Sequence, residues 1–136
     1  MKAIAVVAPF AWAIIHGRKD VENRSTHTTY RGRVLIYVSK SFNDDQVKSV
    51  SRKLDPDIRP NFPSIEGLQG LCGHLIGSVE IVGSSETSKS KWYYPDNKAW
   101  MLRNPKSIRP VPYSPLKGAV GWHNVDDQLI PKEHLR

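Results

Sequence analysis

Only one cysteine, Cys72, occurs in 136 residues, so no disulfide can form within the chain and a small cystine-stapled scaffold is excluded. Long apolar runs are also missing. The longest, Ile4 to Ile15, is shorter than the roughly 20 residues that a membrane-crossing helix requires, and Pro9 interrupts it. The start, MKAIAVVAPFAWAIIHG, has one lysine and no small-residue cleavage site behind a long apolar core, so a cytoplasmic setting without membrane contact is expected. His16, His27, His74, His123 and His134 are scattered without a second ligand at metal-binding spacing, so neither a metal nor a cofactor is expected. Acidic residues are scarce: 13 Asp and Glu face 20 Lys and Arg, and the net charge of +7 favours an anionic partner such as nucleic acid.

The remaining composition, 39% apolar and 24% charged, is that of a globular chain, and the length suits one domain over residues 1–136. Ala3 to Val7 reads as a strand, and Pro9 fits the first turn of a helix over Phe10 to His16. Gly17 is expected to end that helix in the left-handed conformation. Val21 to Ser25 looks extended. Arg33 to Lys40 is the clearest strand, with Val34, Ile36 and Val38 on one face and Leu35, Tyr37 and Ser39 on the other. Asn43, followed by Asp44 and Asp45, caps a second helix carrying Val47, Val50 and Leu54 that stops before Pro56.

The prolines and glycines between Asp55 and Gly73 predict a long irregular excursion. His74 to Val82 returns as a strand, Gly83 to Ser90 reads as a polar loop, and Ala99 to Leu102 and Gly118 to Val125 are later short strands. Pro105, Pro110, Pro112 and Pro115 argue against helix or central strand between them. No internal repeat is present. The class expected is α+β and strand-dominated, a small β-barrel, closed or partly closed, with about six short strands and two or more helices.

Residues 17–24 read GRKDVENR, which places Gly17, Lys19, Glu22 and Arg24 in the pattern GxKxxExR. On an extended segment Glu22 and Arg24 share a face, Asn23 takes the other, and Lys19 approaches from the preceding turn. Two readings follow. Either Glu22 and Arg24 form a structural ion pair between strand and helix, or the cluster meets a ligand through a partly solvated Lys19 that binds phosphate or accepts a proton. In an enzyme, Lys19 and Glu22 are the catalytic candidates.

Trp12 lies among Ala11, Ile14 and Ile15, where an aromatic serves either the core or a ligand platform. Trp92, Tyr93 and Tyr94 follow the polar loop beside Lys89 and Lys91 and are expected at the surface, where bases stack. Trp100 and Trp122 fit the core or a cleft wall. Cations concentrate in two segments, one with Arg18, Lys19, Arg24, Arg31, Arg33 and Lys40, the other running from Lys89 and Lys91 through Arg103 to Lys117. If the two meet across a cleft, Arg31, Arg33, Lys40, Lys89, Lys91 and Arg103, with Trp92 and Tyr93, form a nucleic-acid-binding track.

The GxKxxExR pattern resembles the signature of ASCH domains, a family whose fold is similar to the PUA domains of RNA-modifying proteins. PFAWAIIHG looks like that family's PWAWAI helix, YRGRVLIYVSK resembles its YRG-x-LLIHASK strand, and AWMLRNP and LKGAVGW are similar to its distal strands. Residues 43–71 and 84–97 are the least typical. The resemblance implies a PUA-like barrel with the polar cluster in its cleft, ligand contacts from Trp12, Lys19, Glu22, Arg24 and Trp100, and a partner among single-stranded RNA, nucleotides or nucleosides, with DNA also admitted. It also implies alternatives, because some ASCH-type proteins are ribonucleases and a PUA-like relative deacetylates N4-acetylcytidine as an amidohydrolase. That relative has threonine at the position of Glu22 and a lysine matching Lys19. The coactivator in which the domain was named adds a third reading, a protein-interaction module.

Overall fold

The computed structural model describes residues 1–115 and 121–134. Its strands are β1 (Lys2–Val6), β2 (Val21–Arg24), β3 (Gly32–Val38), β4 (His74–Ser85), β5 (Lys98–Pro112) and β6 (Trp122–Asn124). They form one sheet in the order β2-β5-β4-β3-β1-β6, curled into a half-barrel. Only β1 and β3 run parallel. Part of the strand expected over Gly118–Val125 lies outside the described residues, as does Lys117; its remainder is β6.

The alternation in β3 sets both sides of the sheet. Val34, Ile36 and Val38 join the main core with Ile4, Ile14, Ile76 and Trp100, while Leu35 and Tyr37 enter a smaller cluster with Leu75, Val125 and Ile130. Helix α1 (Ala8–His16) buries every residue from Ala11 to Ile15, because it is apolar around its whole circumference and sits inside the curl of the sheet. Helix α2 (Asp44–Lys53) starts with a full capping box: Asn43 Oδ1 accepts from the Gln46 amide and Gln46 Oε1 from the Asn43 amide, both at 2.9 Å.

Three sequence expectations give way. The segment 55–73 contains a 3₁₀ turn at Arg59–Asn61 and a third helix, α3 (Ile65–Leu71), despite Gly67 and Gly70. Ser64 caps α3 by accepting from the Gly67 amide at 3.1 Å, and the fully buried Leu68 docks it on the core, which together offset about 1 kcal/mol per helical glycine. Next, β4 continues through Ser85 into the expected loop, with Ser84 opposite Trp100 and Ser85 opposite Ala99. Finally, the short strand expected over Ala99–Leu102 is the start of a long one: β5 runs on through Pro105, Pro110 and Pro112 as an edge, in keeping with prolines that exclude a central strand. Its second neighbour, β2, pairs only with Lys98–Met101, so beyond that point one side of β5 meets no strand among the described residues and a missing N–H costs no ladder bond.

The curl brings β2, at one end of the sheet, back to β1 near the other. Among the described residues no backbone ladder closes this seam. Side chains do: Arg24 donates from Nη2 to the Ala5 carbonyl at 2.8 Å, and Trp100 stacks on Trp122 of β6 with centroids 5.7 Å apart.

Candidate functional site

The seam owes its chemistry to the way α1 ends. Gly17 is not in the left-handed region, with φ −113°; its neighbour Arg18 is, at +65°. Gly17 is needed for space, since a Cβ there would lie 2.7 Å from Leu54 Cδ2 and 2.9 Å from Ala13 Cα. The left-handed step at Arg18 turns the chain so that the Lys19 amide reaches back to the Ala13 carbonyl at 3.0 Å. Outside, the Arg18 guanidinium binds Asp55 and Asp57, each at 2.9 Å, and Lys91 joins Asp55 at 2.6 Å. These cations hold both carboxyls below the usual carboxylate range.

The same turn drives the Lys19 side chain inward. Lys19 is 3% exposed rather than partly solvated; its ammonium donates to the Val21 carbonyl and lies 3.4 Å from Glu22 Oε1. Glu22 and Arg24 share a face of β2, and Arg24 Nε donates to Glu22 Oε2 at 2.9 Å. Both oxygens of one buried carboxylate therefore face cations. Burial pushes the Lys19 pKa down from the ordinary lysine value, and the attraction of Glu22 only partly restores it.

These three charges form the floor of a cleft of about 290 Å³. Ala5 to Val7 supply backbone along one side, and Phe10 and Tyr94 supply flat walls. Asn23, on the opposite face of β2, holds the 92–94 segment in place: its Oδ1 accepts from the Tyr94 amide and its Nδ2 donates to the Trp92 carbonyl, both at 2.9 Å. The Lys53 ammonium stands 3.7 Å from the Tyr94 ring centroid, and Ser49 hydrogen-bonds the Tyr94 hydroxyl. Desolvation would raise the Tyr94 pKa, but Lys53 and Ser49 outweigh it and the net direction is down.

The family model described as ASCH domain matches residues 4–112. The chain belongs to the ASCH domain family. Membership makes it a nucleic-acid-related, PUA-like domain. The ASCH match runs from β1 to the end of β5, so it contains the GxKxxExR segment and all the cleft residues named above. No curated protein matches the chain.

Not every residue that the ASCH resemblance or the charge pattern singled out reaches this cleft. Trp12 is buried in the core against Phe62, away from it. Trp100 is also buried, beneath the Arg24 guanidinium at 5.4 Å, and donates from its indole N–H to the Thr26 carbonyl. Trp92 is not a surface residue: at 2% exposure it is one of the largest core side chains, because Ser90 and Asn23 fold its segment back against the sheet. Tyr93 is half-buried, its hydroxyl within hydrogen-bonding distance of two carbonyls, Asn97 at 2.8 Å and Glu86 at 3.0 Å, to one of which it donates.

The basic residues divide as well. Arg33 pairs with Glu80 across β3 and β4, and Lys91 with Asp55, so both are largely neutralised. Arg31, exposed, donates to the carbonyls of Thr28 and Tyr30; Lys40, Lys89 and Arg103 are exposed and form no ion pair among the described residues. The two basic segments touch at one register position, Arg24 opposite Lys98, and Lys98 is paired there with Glu86 at 2.6 Å and does not line the cleft. Sequence reasoning missed Phe10, Asn23 and Lys53. Asn23 sits inside the motif and carried a signal; Lys53 comes from a helix remote in sequence and carried none. Among the described residues no three His, Cys, Asp or Glu converge to hold a metal ion, and no helix is long and apolar enough to cross a membrane.

Proposed function

We propose that the seam cleft binds a base or nucleotide of single-stranded RNA. The observation that carries this reading is the convergence of Lys19, Glu22 and Arg24, one anion between two cations, on the floor of a cleft walled by Phe10 and Tyr94. Buried charges are costly, and a floor with surplus cationic donors favours a ligand that brings carbonyl or phosphate acceptors. Flat walls suit a planar ring, and the volume falls at the small end of ligand sites, the scale of a base. The net charge of +7 supplies attraction for the strand as a whole, DNA included, and a cytoplasmic setting accords with a lone cysteine.

A hydrolase is the second reading, favoured by one feature: desolvation moves Lys19 toward the neutral amine of a proton acceptor. Glu22 is poorly placed as a base, since both of its oxygens already accept from cations. Gel shifts and time courses with the same labelled RNA separate the two. Binding predicts intact, shifted RNA and a loss of about 5- to 150-fold in affinity for Tyr94→Ala, the range for one stacked base. Time-dependent fragments, or release of acetate from N4-acetylcytidine, would replace the binding reading with the hydrolytic one.

A further inference from the structure

We propose that the seam holds a second nucleotide subsite, which takes the base next to the one in the cleft; the inference rests on the RNA reading of that cleft. The bridge from Arg24 to the Ala5 carbonyl divides the seam in two. On one side lies the cleft, between Ala5–Val7 and residues 22–24. On the other lies a hollow of about 400 Å³, between Lys2 of β1 and Trp122 of β6 on one border and Thr28, Thr29 and Tyr30 on the other. The two openings therefore share their borders: β1 runs past both, and the chain that leaves β2 after Arg24 continues from the first to the second.

The β1–β6 register fixes where the second opening faces. Trp122 stands opposite Ile4, and cross-strand partners share a face, so its indole lies on the core side of the sheet, the side to which Lys2 also belongs by alternation. One series of rings connects the openings. The Arg24 guanidinium lies 5.4 Å from the Trp100 ring, Trp100 stacks on Trp122 with 24° between their planes, and Tyr30 follows 5.2 Å from Trp122. Trp100 is buried, whereas Trp122 and Tyr30 are half-buried, so the series surfaces at the hollow.

The charges suit a strand that crosses the bridge. Arg24 spends Nε and Nη2 on Glu22 and Ala5, and its side chain, one-quarter exposed, keeps Nη1 without a hydrogen-bond partner among the described residues. Lys2 is exposed, has Asn124 Oδ1 at 3.5 Å and forms no ion pair among the described residues. A phosphate between two nucleotides meets a donor in Arg24 at the junction, a flanking phosphate meets Lys2, and a base in the hollow stacks on Trp122 or Tyr30. The volume of the hollow is within the range of ligand sites. An acidic peptide would match the two cations and leave both rings without a counterpart.

Titrations with uridine monophosphate and with a single-stranded tetranucleotide of uridine, followed by affinity and by NMR shifts, test the second opening apart from the cleft. The tetranucleotide should bind about 5- to 150-fold more tightly than the mononucleotide, the range for one further stacked base, and should alone shift Lys2, Tyr30 and the Trp122 indole. Trp122→Ala and Lys2→Gln, the latter at an exposed position where folding is not at risk, should each weaken the tetranucleotide and leave the mononucleotide unchanged, whereas Tyr94→Ala should weaken both. A tetranucleotide bound no more tightly than the mononucleotide, with Lys2, Tyr30 and Trp122 unmoved, would overturn the second subsite and leave the cleft reading standing. Failure of the wild-type protein to bind either RNA would overturn both. Equal affinity for tetraglutamate would overturn the choice of partner.

Discussion

Replacing Glu22 by Gln removes one negative charge from between two cations without changing the shape of the site. The Lys19 side chain is 1% exposed and that of Glu22 10%, so water cannot substitute for the lost partner. Breaking a buried ion pair from one side costs about 3 to 5 kcal/mol. An upper bound comes from Lys19 itself. If it sheds its proton, folding near pH 7 must absorb the cost of neutralising a lysine that titrates near 10.4 when unfolded, about 5 kcal/mol at 1.36 kcal/mol per unit. Urea denaturation should therefore show the variant about 3 to 5 kcal/mol less stable near pH 7. The deficit should shrink as pH rises through the lowered folded-state pKa of wild-type Lys19, above which the lysine is neutral in both folded proteins and the unfolded state is common to both. A deficit below about 1 kcal/mol, the value of a solvated surface pair, or one that grows with pH, would refute a buried charge cluster.

The wild-type protein should itself gain stability as pH rises from the lowered pKa of Lys19 toward about 10.4, since the unfolded state holds more protons in that window; thermal melts of Lys19→Met should lack this rise. Trp92→Ala should cost about 3 to 5 kcal/mol in chemical denaturation, as for a large core side chain, whereas a melt like wild type would return Trp92 to the surface. Gly17→Ala should cost about 1 to 3 kcal/mol through overpacking against Leu54 and Ala13, and the double variant with Leu54→Ala should lose less than the sum of the two single losses.

The elements most legible in the sequence are those whose residues alone determine them. The period-two pattern of β3, the Asn43 cap of α2 and the alternation that joins Glu22 to Arg24 are local, and each is present in the fold. Tertiary packing hides the rest. Leu68 anchors α3 in spite of its glycines, the short reach of β2 frees β5 to carry prolines, and the demand for space at Gly17 shifts the left-handed turn to Arg18. The aromatic wall shows the limit most plainly. Trp92, Tyr93 and Tyr94 are consecutive and chemically alike, and it is the hydrogen bonds of their backbone to Ser90 and Asn23, remote from one another in sequence, that set Trp92 into the core while Tyr94 lines the cleft.

The central claim, that the seam between β1 and β2 is where nucleic acid binds, is tested most directly by titrating isotope-labelled protein with cytidine, N4-acetylcytidine and a short single-stranded RNA while following backbone and side-chain NMR signals. The largest shifts are predicted at Lys19, Glu22, Asn23, Arg24 and Tyr94, saturating together with the RNA. Saturable shifts confined to other faces of the sheet, with these five residues unmoved, would contradict it.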